Sequence, residues 1–334
     1  MTAPHMPRRR FLGLVAASAA LVGPGSLQAA LQNPGNLPEP VIWNGIALGA
    51  DAQLQLLHPD RAHAQQLLHL ALAELRRLEQ VFSLYQDDSA LVHLNRQGRL
   101  DAPPWDLSRL LAQAIAFGDH TDGRFDPSVQ TLWHLYTARV LAGQPLPPDP
   151  VELQAALSRV DYRAIRIDDD AIAFDRPGMA LTLNGIAQGY ITDRVTELLR
   201  AHGLEHAMID LGEARSLGQS GFNRPWRAGI ADPRQPDHIL ETIDLADQAL
   251  ATSGGYGTPL DPKGPFTHLF DPRTGSAIPR WRSVTVRAGD ATTADALSTA
   301  FSLMSADEIH GMISRFPVQA WLVPSDDDTL IRLG

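Results

Sequence analysis

The sequence contains no cysteine. A disulfide framework, a thiolate metal site and a lipid-modified N-terminal cysteine are all excluded. Positive charge is also scarce: 28 Lys and Arg stand against 38 Asp and Glu, a formal net charge of -10. Nucleic acid and anionic lipid both reward clustered Lys and Arg, so neither is expected as the main partner. An anionic ligand would have to be held by something other than bulk charge. After the first thirty residues no run is apolar enough to span a membrane, and no internal repeat is visible.

The N-terminus has a recognisable order. Arg8 and Arg9 stand just ahead of Phe11 and Leu12, an alanine-rich, weakly apolar run continues to Val22, and small residues follow at Ala29 and Ala30. This is the twin-arginine export pattern, and the apolar run is shorter than the ~20 residues of a spanning helix. Residues 1–30 are read as the signal, with cleavage near Ala29 to Leu31 and the mature protein in the periplasm. Residues 31–40, rich in Pro, Asn and Gly, read as a spacer. Residues 41–334 remain, enough for one large domain or two lobes around a substantial core.

Along that domain, VIWNGIALGADAQLQLLH (41–58) reads as a hairpin turning at Asn44-Gly45. Leu67, Leu68, Ala71, Leu72, Leu75, Leu78 and Val81 recur at helical spacing and predict an amphipathic helix over 61–82. Helices are also expected over 107–118, after Asp126-Pro127, and over 185–201, 295–304 and 306–315. Strands are expected over 164–167, 171–174, 180–183, 206–210 and 318–323. The Pro-rich stretch 143–150 reads as a surface connection. No regular βαβ alternation is present, so the fold class is α+β.

Four segments can carry chemistry. LTLNGIAQGYITDRV (181–195) puts small residues where a strand-like run turns into a helix, a place that offers backbone N–H groups to an anion but equally one where glycine serves geometry alone. TTADALSTA (292–300) places Asp295 and Thr299 four apart on one helical face, suitable as hard oxygen ligands for Mg²⁺; the alternative is a helix capped by Thr292 or Thr293, with Asp295 favouring the dipole. THLFDPRTG (267–275) gathers His268, Asp271 and Arg273 at a turn, where His268 is either a general base or structural. DGRFDPS (122–128) carries Asp126 into a helix start, where it reads equally as a ligand contact or a cap.

In this order the segments resemble the ApbE family of FAD:protein FMN transferases. The family's M-G-T turn corresponds to Leu48-Gly49-Ala50, its tyrosine loop ending in L-N-R to FSLYQDDSALVHLNR (82–96), and G-x-F-D-P to GRFDP. D-L-G-G-I-A-K-G-Y is matched by TLNGIAQGY (182–190), A-T-S-G by ATSGGYG (251–257), H-x-I-D-P-x-T-G by HLFDPRTG, and D-A-L-x-T-A by DALSTA (295–300). The chain departs from the pattern at Thr182 in place of Asp, Asn184 in place of Gly, Gln188 in place of Lys, and at the Leu48 turn. With the export signal, TLNGIAQGY and DLGEARSLG (210–218) look like the NosX branch, an accessory of nitrous oxide respiration whose implied acceptor is a NosR-type membrane flavoprotein.

The resemblance implies an ApbE-like fold, mixed sheets with packed helices and FAD bound in a cleft between lobes. It implies transfer of FMN from FAD to a Ser or Thr hydroxyl of a protein acceptor, with release of AMP. Mg²⁺ would be held by Asp295, Thr299 and the main chain of Gly185. The positions matching flavin and adenosine contacts are Leu48, Tyr85, Arg124, Phe125, Asp126, Thr182, Gln188 and Phe270, and His268 is the candidate base. Thr182 offers a hydroxyl but no charge, and Gln188 removes a cation near the diphosphate. Two other functions fit the same residues: a non-catalytic FAD-binding partner of a respiratory complex, and a Mg²⁺-dependent FAD hydrolase giving FMN and AMP.

Overall fold

A computed structural model describes residues 20–21, 38–221, 223–261, 264–327 and 329–334. The expected export signal and spacer lie outside the described residues, apart from a two-residue strand, β1 (Ala20–Leu21), and the last three residues of the spacer. The helix expected over 61–82 forms as α1 (Arg61–Phe82). Asp60 caps it by accepting from the backbone N–H groups of Ala62 and His63. Its buried stripe, Leu67, Ala71, Leu75, Leu78 and Phe82, follows the helical period and joins the main core. Each leucine removed from water this way contributes about 1.5–3 kcal/mol.

That core lies against a sheet of eight strands. In chain order these are β2 (Val41–Ala47), β3 (Ala50–Leu57), β7 (His206–Asp210), β8 (Ala214–Leu217), β11 (Ala249–Gly254), β12 (Trp281–Ala288), β13 (Gln319–Pro324) and β14 (Ile331–Leu333). Their spatial order is β14-β13-β12-β11-β8-β7-β3-β2. A small sheet joins β4 (Arg99–Asp101), β6 (Ala171–Phe174) and β5 (Ile165–Ile167), and a third joins β1, β9 (Trp226–Asp232) and β10 (Gln235–Leu245). Helix and strand are mixed as the α+β class requires, while every pairing among the described strands is antiparallel.

The remaining helices are α2 (Ala90–Gln97), α3 (Trp105–His120), α4 (Gln130–Leu141), α5 (Pro150–Leu157), α6 (Ala187–Ala201), α7 (Ala291–Phe301) and α8 (Ala306–Ile313). None of the helices among the described residues is long and apolar enough to cross a membrane.

Three local expectations need correction. The first hairpin turns at Leu48-Gly49, not at Asn44-Gly45: Ala47 pairs with Ala50, and both turn residues take positive φ, 47° and 87°. That is the two-residue geometry whose twist matches the flanking strands. Asn44 and Gly45 sit inside β2, because the register puts Val41 and Ala47 into the core. Residues 180–183 belong to no strand or sheet. Finally, α7 begins four residues before the expected start at 295, since Asp290 caps it by accepting from the Thr293 N–H. Neither Thr292 nor Thr293 is the cap, and Asp295 lies beyond the first turn.

Candidate active site

The stretch 180–183 is held by a side chain instead of a strand. Asn95, at the end of α2, donates from Nδ2 to the Leu181 carbonyl (2.8 Å) and accepts the Leu181 N–H at Oδ1 (2.7 Å). The Thr182 N–H donates to the Pro127 carbonyl (2.8 Å). These bonds satisfy backbone groups that would otherwise need a ladder, and they aim Thr182 and the turn after it at a cavity. The Thr182 hydroxyl then accepts from the Asn184 N–H (3.2 Å), and α6 follows directly.

Helix α6 packs tightly on α7. A Cβ at Gly189 would lie 2.2 Å from the Ala291 carbonyl oxygen and 2.8 Å from Cβ of Asp295, so only glycine allows this approach. The closeness lets the Gly189 N–H donate to Asp295 Oδ2 at 3.0 Å. One turn further along α7, the Thr299 hydroxyl lies 2.8 Å from where a Cβ on Gly185 would stand. Thr299 also shares a hydrogen bond with Ser253 (3.2 Å), which β11 supplies. A carboxylate, a hydroxyl and the main chain of Gly185 thus meet at one end of the cavity. Asp295 is only 3 % exposed, and burial, reinforced by the nearby Asp193, raises its pKa above the usual carboxylate range.

The cavity has a volume of about 490 Å³ and is lined by Tyr85, Arg124, Phe125, Asp126, Thr182, Gly185, Gln188, His268, Phe270, Asp295 and Thr299. Of the residues singled out in the sequence for chemistry, Leu48, Asp271 and Arg273 do not line it. Leu48 sits in the first hairpin turn, donates its N–H to Glu79 Oε1 (2.8 Å) and packs against the main core. Tyr85, 56 % exposed, stands at the mouth with a side-chain hydrogen bond to Asn184. Phe125 packs edge-on to Phe117, and Phe270 packs edge-on to Tyr136 with ring centres 5.1 Å apart.

Polar groups around this space fall into two kinds. Arg124 donates to the Leu303 carbonyl (2.7 Å) and pairs with Glu308 and Asp271. Asp126 accepts from the Ser128 N–H (2.8 Å), the Ser128 hydroxyl (2.6 Å) and the Tyr162 N–H (3.1 Å), so the cap reading of Asp126 is realised. Burial nevertheless pushes its carboxyl up to about 6.

Gln188 and His268 are different. Gln188 Nε2 is buried with no partner, and it fills the space that a side chain at Gly212, itself at φ 101°, would need. One side of the His268 ring is hydrogen-bonded to the Thr258 backbone, while Nδ1 is buried with no partner. Burial lowers the His268 pKa to about 4, which keeps the ring neutral at ordinary pH.

The family model described as the ApbE family matches residues 48–322. The chain belongs to the ApbE family. It is 30 % identical over 282 residues to the FAD:protein FMN transferase of Treponema pallidum, covering 75 % of each chain. Its fold matches the crystal structure of the ApbE protein from Thermotoga maritima with a TM-score of 0.77 at 27 % identity, covering 88 % of this chain and 97 % of that one. The flavin transferase ApbE from Vibrio cholerae matches with a TM-score of 0.76 at 26 % identity, covering 89 % and 97 % respectively.

Within this ApbE site, several lining residues had no assigned role from sequence. Glu213 is buried (4 %) and accepts the Thr252 N–H at Oε2 (3.1 Å), which brings a third acid to the cavity beside Asp126 and Asp295. Ser253 touches the Thr299 hydroxyl, and Asn95 clamps Leu181. All three lie inside quoted motifs, DLGEARSLG, ATSGGYG and the loop ending in LNR, so position was visible and role was not. Trp133 and His134, which also line the cavity, follow no motif.

Proposed function

We propose that this chain is a FAD:protein FMN transferase that modifies a Ser or Thr hydroxyl of a periplasmic acceptor domain. The acceptor oxygen forms a bond to the FMN phosphorus, the diphosphate P–O bond breaks, and AMP leaves with the bridging oxygen. The acceptor's proton passes to His268. The observation that carries this reading is the convergence on one cavity of Asp295, Thr299 and Gly185 with the unpartnered Nδ1 of His268. Family membership and relatives named FAD:protein FMN transferase support it.

The donor set fits Mg²⁺. It consists of hard oxygens only, and among the described residues no three His, Asp or Glu side chains gather to hold a metal by themselves. One carboxylate from the protein leaves room for ligand phosphate and water. When bound, Mg²⁺ supplies charge neutralisation at the diphosphate, which suits an acidic protein. The protein's own residues do the rest. Asp295 is fixed by the Gly189 N–H, and a cation beside it would favour its ionised form against the burial that raises its pKa. With its N–H committed to the Thr258 backbone, His268 turns a lone pair toward the cavity. The Gln188 amide brings an unspent donor to the place where the family has a lysine.

Phe125, Phe270, Tyr85 and Thr182 are proposed to bound the flavin and adenosine moieties, and Leu48 to act through the turn. The narrower reading places the chain in the NosX branch, with a NosR-type membrane flavoprotein as acceptor and export by the twin-arginine route. It rests on the first thirty residues and on TLNGIAQGY and DLGEARSLG. On that reading β1 falls inside the removed signal, and the mature third sheet keeps β9 and β10.

The deciding experiment incubates purified protein with FAD, Mg²⁺ and an acceptor domain, and follows in-gel flavin fluorescence on the acceptor together with AMP release. Fluorescent acceptor and stoichiometric AMP are expected. FAD bound intact with no labelled acceptor favours the non-catalytic partner, which the Gln188 and Thr182 departures motivate. Free FMN and AMP without acceptor favour the hydrolase.

A further inference from the structure

We propose that Asp193 is the positioning residue of this site: from α6 it holds the first turn of α7, and so fixes where Asp295 and Thr299 stand relative to Gly185. The inference deepens the transferase reading and relies on it for the Mg²⁺ and activity assays, while the Gly189 exchange readout stands without it.

The N-terminal donors of α7 are shared between two carboxylates. Its own cap, Asp290, accepts from the N–H and hydroxyl of Thr293 (2.8 and 2.9 Å). The two preceding donors go to a different helix. Asp193 Oδ1 accepts the Ala291 N–H (2.8 Å), and Oδ2 accepts both the N–H (2.8 Å) and the hydroxyl (2.6 Å) of Thr292. A helix end needs only local caps or water for these groups. Spending a buried carboxylate from α6, only 6 % exposed, ties the two helices together.

A second tie lies one turn away. Gly189 and Asp193 are four residues apart on α6, and Ala291 and Asp295 are four apart on α7, so each pair shares a face. The antiparallel helices are therefore joined by two rungs, Asp193 to Ala291 and Gly189 to Asp295, roughly one helical pitch apart. One rung alone permits rotation, while two fix both separation and rotation. With the Gly189 backbone against the Ala291 carbonyl there is no slack to absorb a slip.

Arg215, from β8, completes the device. It pairs with Asp193 and is itself 9 % exposed. Burial raises the pKa of the Asp193 carboxyl, and Arg215 with the Thr292 and Ala291 donors opposes that shift. The pair anchors the rung to the sheet. Asp193 does not line the flavin cavity: it faces a separate cavity of about 390 Å³ behind α6 and α7. Its influence on the reaction has to pass through α7.

The test uses three full-length variants: Thr292→Val, which removes one contact of the rung, Thr292→Ser, which keeps the hydroxyl, and Asp193→Asn, which disrupts the whole set. Amide hydrogen exchange at Gly189 in the metal-free protein reports the second rung directly. Mg²⁺ titration by calorimetry in the presence of FAD reports the ligand geometry, and transfer kinetics report its consequence. Thr292→Val is expected to speed Gly189 exchange, weaken Mg²⁺ about tenfold and lower kcat comparably while leaving KM for FAD at saturating Mg²⁺ and the melting temperature nearly unchanged. Thr292→Ser should behave as wild type, and Asp193→Asn should exceed Thr292→Val in every readout.

Unchanged Gly189 exchange in Thr292→Val overturns the proposal. So does a melting loss in Asp193→Asn with Mg²⁺ affinity and kcat preserved, since the rung would then be structural only. A wild-type protein that takes up no Mg²⁺ sinks the metal assignment instead, and the Gly189 exchange still decides the positioning role.

Discussion

The two walls of the cavity spend their polar groups in opposite ways. On the wall before α4, Arg124 and Asp126 are saturated: the guanidinium meets a carbonyl and two carboxylates, and the carboxylate takes three donors. On the other, Gln188 Nε2 and His268 Nδ1 have no partner although they are buried. An unmade buried hydrogen bond costs on the order of 1–3 kcal/mol, so such atoms persist only where something repays them. Saturated groups hold the cavity's shape, and unsaturated ones are left for what enters it. Both walls carry residues the family resemblance places in contact with flavin or adenosine, and the bonding pattern separates frame from contact.

The largest expected effect is at Asp295. Asp295→Ala should abolish transfer, a loss of at least about 10³-fold, and remove Mg²⁺-dependent FAD binding, measured by acceptor flavinylation and by FAD titration with and without metal. Activity at the wild-type level would take the residue out of the metal site. His268→Ala should bind FAD normally yet transfer about 10²–10⁴-fold more slowly in single-turnover assays. A normal rate would leave His268 as a structural residue.

On the saturated wall the pattern should invert. Asp126→Ala removes a cap and the brace to Tyr162 and is expected to cost about 2–4 kcal/mol in denaturant unfolding, with transfer by the folded protein reduced far less than in the two variants above. Gln188→Leu should do the reverse: stability unchanged or slightly higher, and KM for FAD raised several-fold, about 1 kcal/mol. If Gln188→Leu melts early with normal KM, the distinction between the walls fails.

The smallest effect is in the pH profile. Because burial lowers His268 to about 4, its neutral form persists through mild acid, and the step that needs it should vary little between pH 5 and 7. A limb near the unperturbed value of about 6.5 would mean that the ring is solvated in the working enzyme. The same depression affects stability. The folded value lies below the unfolded one, so the contribution is complete above about 6.5 and lost as pH falls through about 4.

Long periodic elements were legible from sequence because the pattern that predicts them is the one that packs them. Leu67, Ala71, Leu75 and Leu78 specify α1 and are its buried stripe. Elements whose partners are distant side chains were not. Residues 180–183 have strand-like composition, yet Asn95 meets the backbone of Leu181, a pairing 86 residues apart that no local window contains. The Asn44-Gly45 dipeptide is the stronger turn signal, and tertiary burial of Val41 and Ala47 overrides it. In the site, motifs located Asp295, Thr299 and His268 but could not say which polar atoms would be spent. That depends on Glu308 for Arg124 and on Tyr162 for Asp126, neither of which belongs to a motif.

The Asn95 clamp also places the cavity in time. Its walls come from residues 84 to 303, and the Asn95 side chain that clamps the backbone presenting Thr182 is made 86 residues before the backbone it holds. No growing chain holds a finished flavin site until residue 303 has left the ribosome, so FAD meets a completed fold and not a nascent one. Occupancy should then stabilise the molecule as a unit, and a truncation anywhere before α7 should lose FAD binding altogether, without leaving a weaker site behind.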